Sequence, residues 1–273
     1  MPLPAISTTT STLLLGTLTT LGGLKLYLRH LHERLRSQVQ SGAILAATPR
    51  EAASSNDLES LPQDLLDNAE EYRVYHSQDS LPLPRHVHFT STIRSHDVNQ
   101  DQDQQHTASL FTRLLQRNMS LFSTYTPQAY LLRLLAQTPE QKRSFRKAYI
   151  ASLPFKPGDL VCGFYRVLVL RALQCEMVIT APGFSESFGG RLILSLVPFP
   201  DTGTNGVEEH SQCKKEGLIL RTETLQWVRK SEGMGLPLEG GLVRWMHEVA
   251  SWGLLVSGAR WLEEEVGAPP LGK

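Results

Sequence analysis

Apolar side chains recur along this chain first at helical spacing and then at strand spacing, with the change near residue 156. Within "TASLFTRLLQRNMSLFS", Leu110, Leu114 and Leu121 and, one position on, Phe111, Leu115 and Phe122 return at intervals of four and seven residues, which predicts an amphipathic helix. Two further helices open on Thr126-Pro127 and Thr138-Pro139, each a capping threonine followed by proline at the first helical position. The second is expected to run to Pro154. From "KPGDLVCGFYRVLVLRALQCEMVITAPG" onward, apolar and β-branched runs predict two strands about a turn at "RALQ". "GRLILSLVPF" and "KEGLILRTETLQWVRK" give a third and a fourth, separated by the long loop "PDTGTNGVEEHSQ". The chain closes on a helix in which Leu242, Trp245, Val249, Trp252, Val256 and Ala259 share one stripe. Met246, Leu254 and Leu255 widen that stripe, so the helix should be deeply covered.

Ahead of the three helices, "LPQDLLDNAEEYRVYHS" reads as a short helix with Pro62 in its first turn. "RHVHFTSTIR" alternates Val87, Phe89, Ser91 and Ile93 against His86, His88, Thr90 and Thr92, a strand pattern. The amide-rich insert "SHDVNQDQDQQH" has too little apolar content to pack and reads as a mobile loop. Helices and meander are segregated rather than alternating, so the predicted class is α+β: an antiparallel curved sheet with a long C-terminal helix.

The N-terminal stretch has a different texture. No charged residue occurs before Lys25, six leucines lie between Leu13 and Leu24, and Lys25, Arg29, Arg34 and Arg36 follow. About 20 largely apolar residues suffice to cross a bilayer. A secretory signal would carry its positive charge in front of the run. The order here favours a retained single-pass anchor with the main domain in the cytosol, at the endoplasmic reticulum. A targeting peptide, or a Ser/Thr-rich tail that crosses nothing, are the other readings. The expected organisation is an anchor and basic flank over 1–36, a flexible linker over 37–60, one α+β pocket domain over 61–267, and a tail over 268–273.

Composition narrows the chemistry. Basic and acidic residues balance at 27 each, which gives no footprint for nucleic acid. Cys162, Cys175 and Cys213 are an odd number without CxxC spacing, which argues against a disulfide framework or a thiolate metal site. No Walker loop, GxGxxG, GxSxG or HExxH occurs, so nucleotide and redox cofactors are disfavoured and none is expected. His86 and His88 share a strand face, as a two-histidine metal site would need, but no third ligand has a matching spacing, and no metal is expected. Asn118-Met119-Ser120 matches a glycosylation sequon inside a helical pattern.

The element order over residues 85–265 resembles the helix-grip, or START-like, arrangement, in which a sheet wraps a long C-terminal helix around an apolar pocket. An NTF2-like or SnoaL-like cone is the alternative. Separately, "EEYRVYHSQDSLPLPR", "FKPGDLVCGFYRV" and "TETLQW" resemble segments of uncharacterised fungal proteins found beside natural-product pathways. That resemblance implies a cofactor-free accessory cyclase, isomerase or lyase acting on a polyketide or terpenoid intermediate, in possible contact with other pathway enzymes. A non-catalytic carrier or sensor of lipid-like molecules is the second reading, and a membrane scaffold the third.

Candidate site residues follow from the strand and helix faces. In "LILRTETLQW", Arg221 and Glu223 share a face with Ile219, Leu225 and Trp227, while Thr222 and Thr224 share the other. If the charged face lines the pocket, burial would bring Glu223 into acid/base range and Arg221 would hold a carbonyl or enolate oxygen. His247 lies within the closing helix, with Ser251 one turn on. Tyr165, Trp227, Trp245 and Trp252 are the expected ligand-binding aromatics. Arg166, Arg171 and Glu176 are expected in ion pairs on the exposed side of the first hairpin.

Overall fold

The computed structural model describes residues 26–45, 60–84, 100–180, 188–198 and 217–267. In chain order these form helix α1 (26–36), β1 (Gln40–Leu45), α2 (Gln63–Asp67), β2 (Tyr72–Pro82), α3 (Gln100–Tyr125), α4 (Pro127–Leu135), α5 (Pro139–Arg143) and α6 (Lys147–Ala151). Then come β3 (Leu160–Val161), β4 (Tyr165–Arg171), β5 (Gln174–Ile179), β6 (Gly189–Pro198), β7 (Leu218–Arg229) and the closing helix α7 (Gly241–Gly267). The fold is α+β, with a seven-stranded antiparallel sheet in the order β1-β2-β7-β6-β5-β4-β3. β3 to β7 form the expected meander. β2 reaches back to pair with β7 along its whole length, from Tyr72 opposite Arg229 to Pro82 opposite Ile219.

The helical entries follow their caps. Thr126 Oγ1 accepts from the Ala129 N–H at 3.2 Å. Thr138 Oγ1 accepts from Gln141 N–H, and Gln141 Oε1 accepts from Thr138 N–H, both at 3.1 Å, a closed capping box. The helix expected from Thr138 to Pro154 instead breaks into α5 and α6. The break buries Phe145, and the Ser144 hydroxyl accepts from the Gly163 N–H at 2.6 Å. Gly163 has φ +72°, and a Cβ there would meet Phe145 at 2.8 Å, so only glycine fits this closure. Tertiary packing has overridden local helix continuity.

Three other expectations change. The short helix expected after Pro62 stops at Asp67, and "YRVYHSQDSLP" is strand β2, between β1 and β7. The insert expected as a loop is helical from Gln100 onward; glutamine is a good helix former, and α3 extends through it. Residues 40–45, expected within the flexible linker, pair as β1 with Leu45–Gln40 opposite Tyr75–Ser80. The strand expected over 85–94, with His86 and His88, lies outside the described residues.

No helix among the described residues is long and apolar enough to cross a membrane, and the expected anchor falls in residues 1–25, outside them. Its expected basic flank is part of the domain. In α1, Leu35 is buried and Leu31 packs against the main core. His32 Nε2 lies 2.9 Å from Glu248 Oε2 of α7, and the imidazole ring is 4.8 Å from Trp252.

Helix α7 packs over β2 and β7 and against α3 and α4. Trp261 meets the guanidinium groups of Arg113 and Arg117 from α3, at 5.4 and 6.0 Å. At Gly258 the two helices approach so closely that a Cβ would lie 3.0 Å from Asn118 Nδ2. The sheet is covered on both faces. One face carries Met177, Leu194 and Leu220 into the main core under α7. The other packs Val74, Ile193, Leu225 and Trp227 against Leu61 and Leu65 of the α2 region.

A two-chamber cavity under the closing helix

Residues directly opposite in an antiparallel pair share a face, so the register assigns each side chain. Tyr165 opposite Ile179, Leu192 opposite Thr224, and Thr222 opposite Asp79 all face α7. Between this face and helices α3, α4 and α7 lie two adjacent chambers. The inner, about 50 Å³, is lined by Asn118, Phe122, Leu194, Thr222, Ser251 and Leu255 among others. The outer, about 200 Å³, is lined by Leu131, Leu135, Thr224, Gln226, Leu238 and Met246 among others. Gln128, Tyr165, Leu192 and His247 line both. The outer chamber alone is below the ~300–1,000 Å³ of typical small-molecule sites.

His247 and Tyr165 are the ionisable groups at the junction. Burial holds the His247 imidazole below its ordinary pKa, against opposing pulls from Asp79 and Glu248, so it is neutral at pH 7. Burial pushes the Tyr165 phenol well above its ordinary value, so it stays a hydrogen-bond donor. Neither polar end is engaged by a hydrogen bond to another described residue. Beside them Asp79, 3% exposed, anchors α7 to β2. Its Oδ2 accepts from the Ser251 hydroxyl at 2.8 Å and its Oδ1 from the Trp252 indole N–H at 2.9 Å. The inner chamber is thus bordered by a neutral imidazole, a phenol donor and neutral hydroxyl and amide groups.

The leading carboxylate read from the sequence lies elsewhere. Glu223 and Arg221 project from the opposite face of β7 and line neither chamber. Glu223 is 2% exposed, with His76 Nε2 at 3.3 Å from Oε2 and Arg221 at 3.7 Å from Oε1. Trp227 is on that face too. It lies across Gly189, where a Cβ would come within 2.2 Å of the indole, and under the Arg191 guanidinium at 5.2 Å. Of the expected aromatics only Tyr165 lines the cavity. Trp252 holds Asp79, and Trp245 lies beside His32 with ring centres 6.4 Å apart.

Glu176, expected on the exposed side of its hairpin, is fully buried and accepts from Gln174 Nε2 at 2.8 Å. Arg191, on the same side of the sheet, has its pKa lowered by burial to about 10, against the pull of Glu176. Arg166 is exposed and donates to the Gly158 carbonyl at 2.8 Å. Cys162 and Cys175 are buried free thiols, the latter pushed up to about 12 by burial. Asn118 is 1% exposed at the inner chamber, so the sequon is not a glycan site on the folded domain. No group of three or more metal-binding side chains occurs among the described residues.

The sequence reading missed Asp79, Gln128 and the pocket role of Asn118. Asn118 carried a legible signal, since it falls four residues after Leu114 and four before Phe122, on the apolar stripe of α3. Comparison with protein-family models, curated proteins and solved structures finds no match to this chain.

Proposed function

We propose that this protein is a membrane-tethered, cofactor-independent enzyme of secondary metabolism, a cyclase, isomerase or lyase on an apolar polyketide or terpenoid intermediate. The arrangement that supports this is helix-grip-like, a sheet face and a long closing helix enclosing an apolar cavity. One observation carries the catalytic reading: a neutral imidazole and a protonated phenol both line the junction of the two chambers. In an apolar site a neutral His247 is a competent base for a C–H proton next to a carbonyl, and the Tyr165 hydroxyl donates to the carbonyl oxygen as it becomes an enolate. Return of the proton from His247 to another carbon completes an isomerisation. Catalytic roles for Glu223 and Arg221 are set aside, because neither side chain reaches the cavity. The uncharged run before Lys25 supports the tether, and carbonate extraction of the full chain from membranes tests it.

The catalytic reading is tested by metabolite profiling of a strain lacking the gene, complemented with His247→Gln, Tyr165→Phe or wild type. His247→Gln is expected to slow turnover roughly 100-fold or more, with an intermediate accumulating. Full complementation by both variants would sink the acid/base reading. It would leave the carrier reading, which the predominantly apolar lining of the outer chamber also suits.

A further inference from the structure

Helix α4 is apolar on two sides. Ala129 and Leu132 turn inward to the core, whereas Tyr130, Leu131, Leu134 and Leu135 project the other way and are 54%, 43%, 84% and 51% exposed. These four positions follow the i, i+1, i+4, i+5 spacing of one helical face. Leu131 and Leu135 on its edge also line the outer chamber. The same helix is therefore both the chamber's wall and an exposed apolar surface, which on a soluble monomer marks an interaction site.

Charge identifies what covers it. The whole chain is neutral, yet residues 125–151 carry Arg133, Lys142, Arg143, Arg146 and Lys147 against Glu140 alone. Arg133 is tied inward, donating to the Ser123 carbonyl at 2.9 Å. Lys142, Arg143, Arg146 and Lys147 are exposed on and around the short helices that follow. An exposed apolar helix face followed in the chain by four exposed cations matches an anionic bilayer surface: leucine and tyrosine enter the headgroup boundary while lysine and arginine meet lipid phosphates.

We infer that α4 docks the mouth of the outer chamber onto an anionic membrane surface, so that apolar ligands pass between bilayer and cavity without crossing water. This contact is separate from the proposed N-terminal tether and does not depend on the chemistry at His247. A tethered chain would still present α4 to the surface beside it.

The test is hydrogen exchange on the full chain with phosphatidylcholine vesicles and with vesicles containing phosphatidylserine. Amides of residues 128–135 are expected to slow about tenfold or more on the anionic vesicles only, the equivalent of about 1.4 kcal/mol. Reversing the four exposed cations together (Lys142→Glu, Arg143→Glu, Arg146→Glu, Lys147→Glu) should abolish the slowing, while vesicle-free protection of β7 and α7 shows that the variant is folded. Leu134→Asp should weaken the slowing in the same way. Unchanged exchange on both vesicle types would overturn the inference, as would equal slowing on both. Slowing that needs no vesicles and grows with protein concentration would assign the face to a second copy of the chain instead.

Discussion

Replacing Trp252 separates what packing and hydrogen bonding each contribute under α7. The side chain is 2% exposed, and its N–H donates at 2.9 Å to the buried Asp79 carboxylate. Trp252→Phe keeps an aromatic ring in the core but removes the donor. Asp79 Oδ1 then loses a buried partner, at a cost of about 1.5–3 kcal/mol for a hydrogen bond to a charged group. Trp252→Ala adds the cavity, for a total of about 3–5 kcal/mol. For a domain of this size, about 2 kcal/mol lowers Tm by about 4–8 °C, which calorimetry or circular dichroism resolves. A double-mutant cycle with Asp79→Asn should give a coupling of about 1 kcal/mol or more. A Trp252→Phe change within about 0.5 kcal/mol, as at a surface site, together with zero coupling, would refute a buried indole–carboxylate bond.

Protonation should act on stability through His247. Its native pKa lies below the ordinary 6.5, so the unfolded chain takes up its proton first as pH falls. The contribution is complete above about pH 6.5 and is lost as pH falls through the lowered native value, and His247→Gln should flatten that limb of a stability–pH curve. Truncation after residue 36 should destabilise the domain more than truncation after residue 25, because α1 takes Leu31, His32 and Leu35 away from α7 and the core; equal melting temperatures would show that α1 does not pack there. Glu223→Leu should cost about 3 kcal/mol by stranding its partners yet leave an apolar fluorescent dye bound in the cavity. Loss of dye with stability intact would place Glu223 at the site after all.

Local spacing was enough for the elements whose signals are local. The Thr-Pro caps, the turn at "RALQ", the meander and the long last helix are all readable because caps, turns and periodicity act over a few residues. The helix broken at Ser144 was not readable, because burial of Phe145 beneath Gly163 joins positions 18 apart in sequence. Nor was β2, whose place beside β7 depends on a pairing with residues more than 130 positions away. The site suffered most from this limit. β7 is buried along nearly all its length on both faces, so its alternation distinguishes two faces but not which one meets a cavity. The sequence by itself determined that Glu223 and Thr224 point oppositely. Only the packing of α7 over the Thr224 side decided that the hydroxyl and amide side chains of β7 line the chamber and its carboxylate does not, because a side chain's surroundings are set by the elements that cover its face.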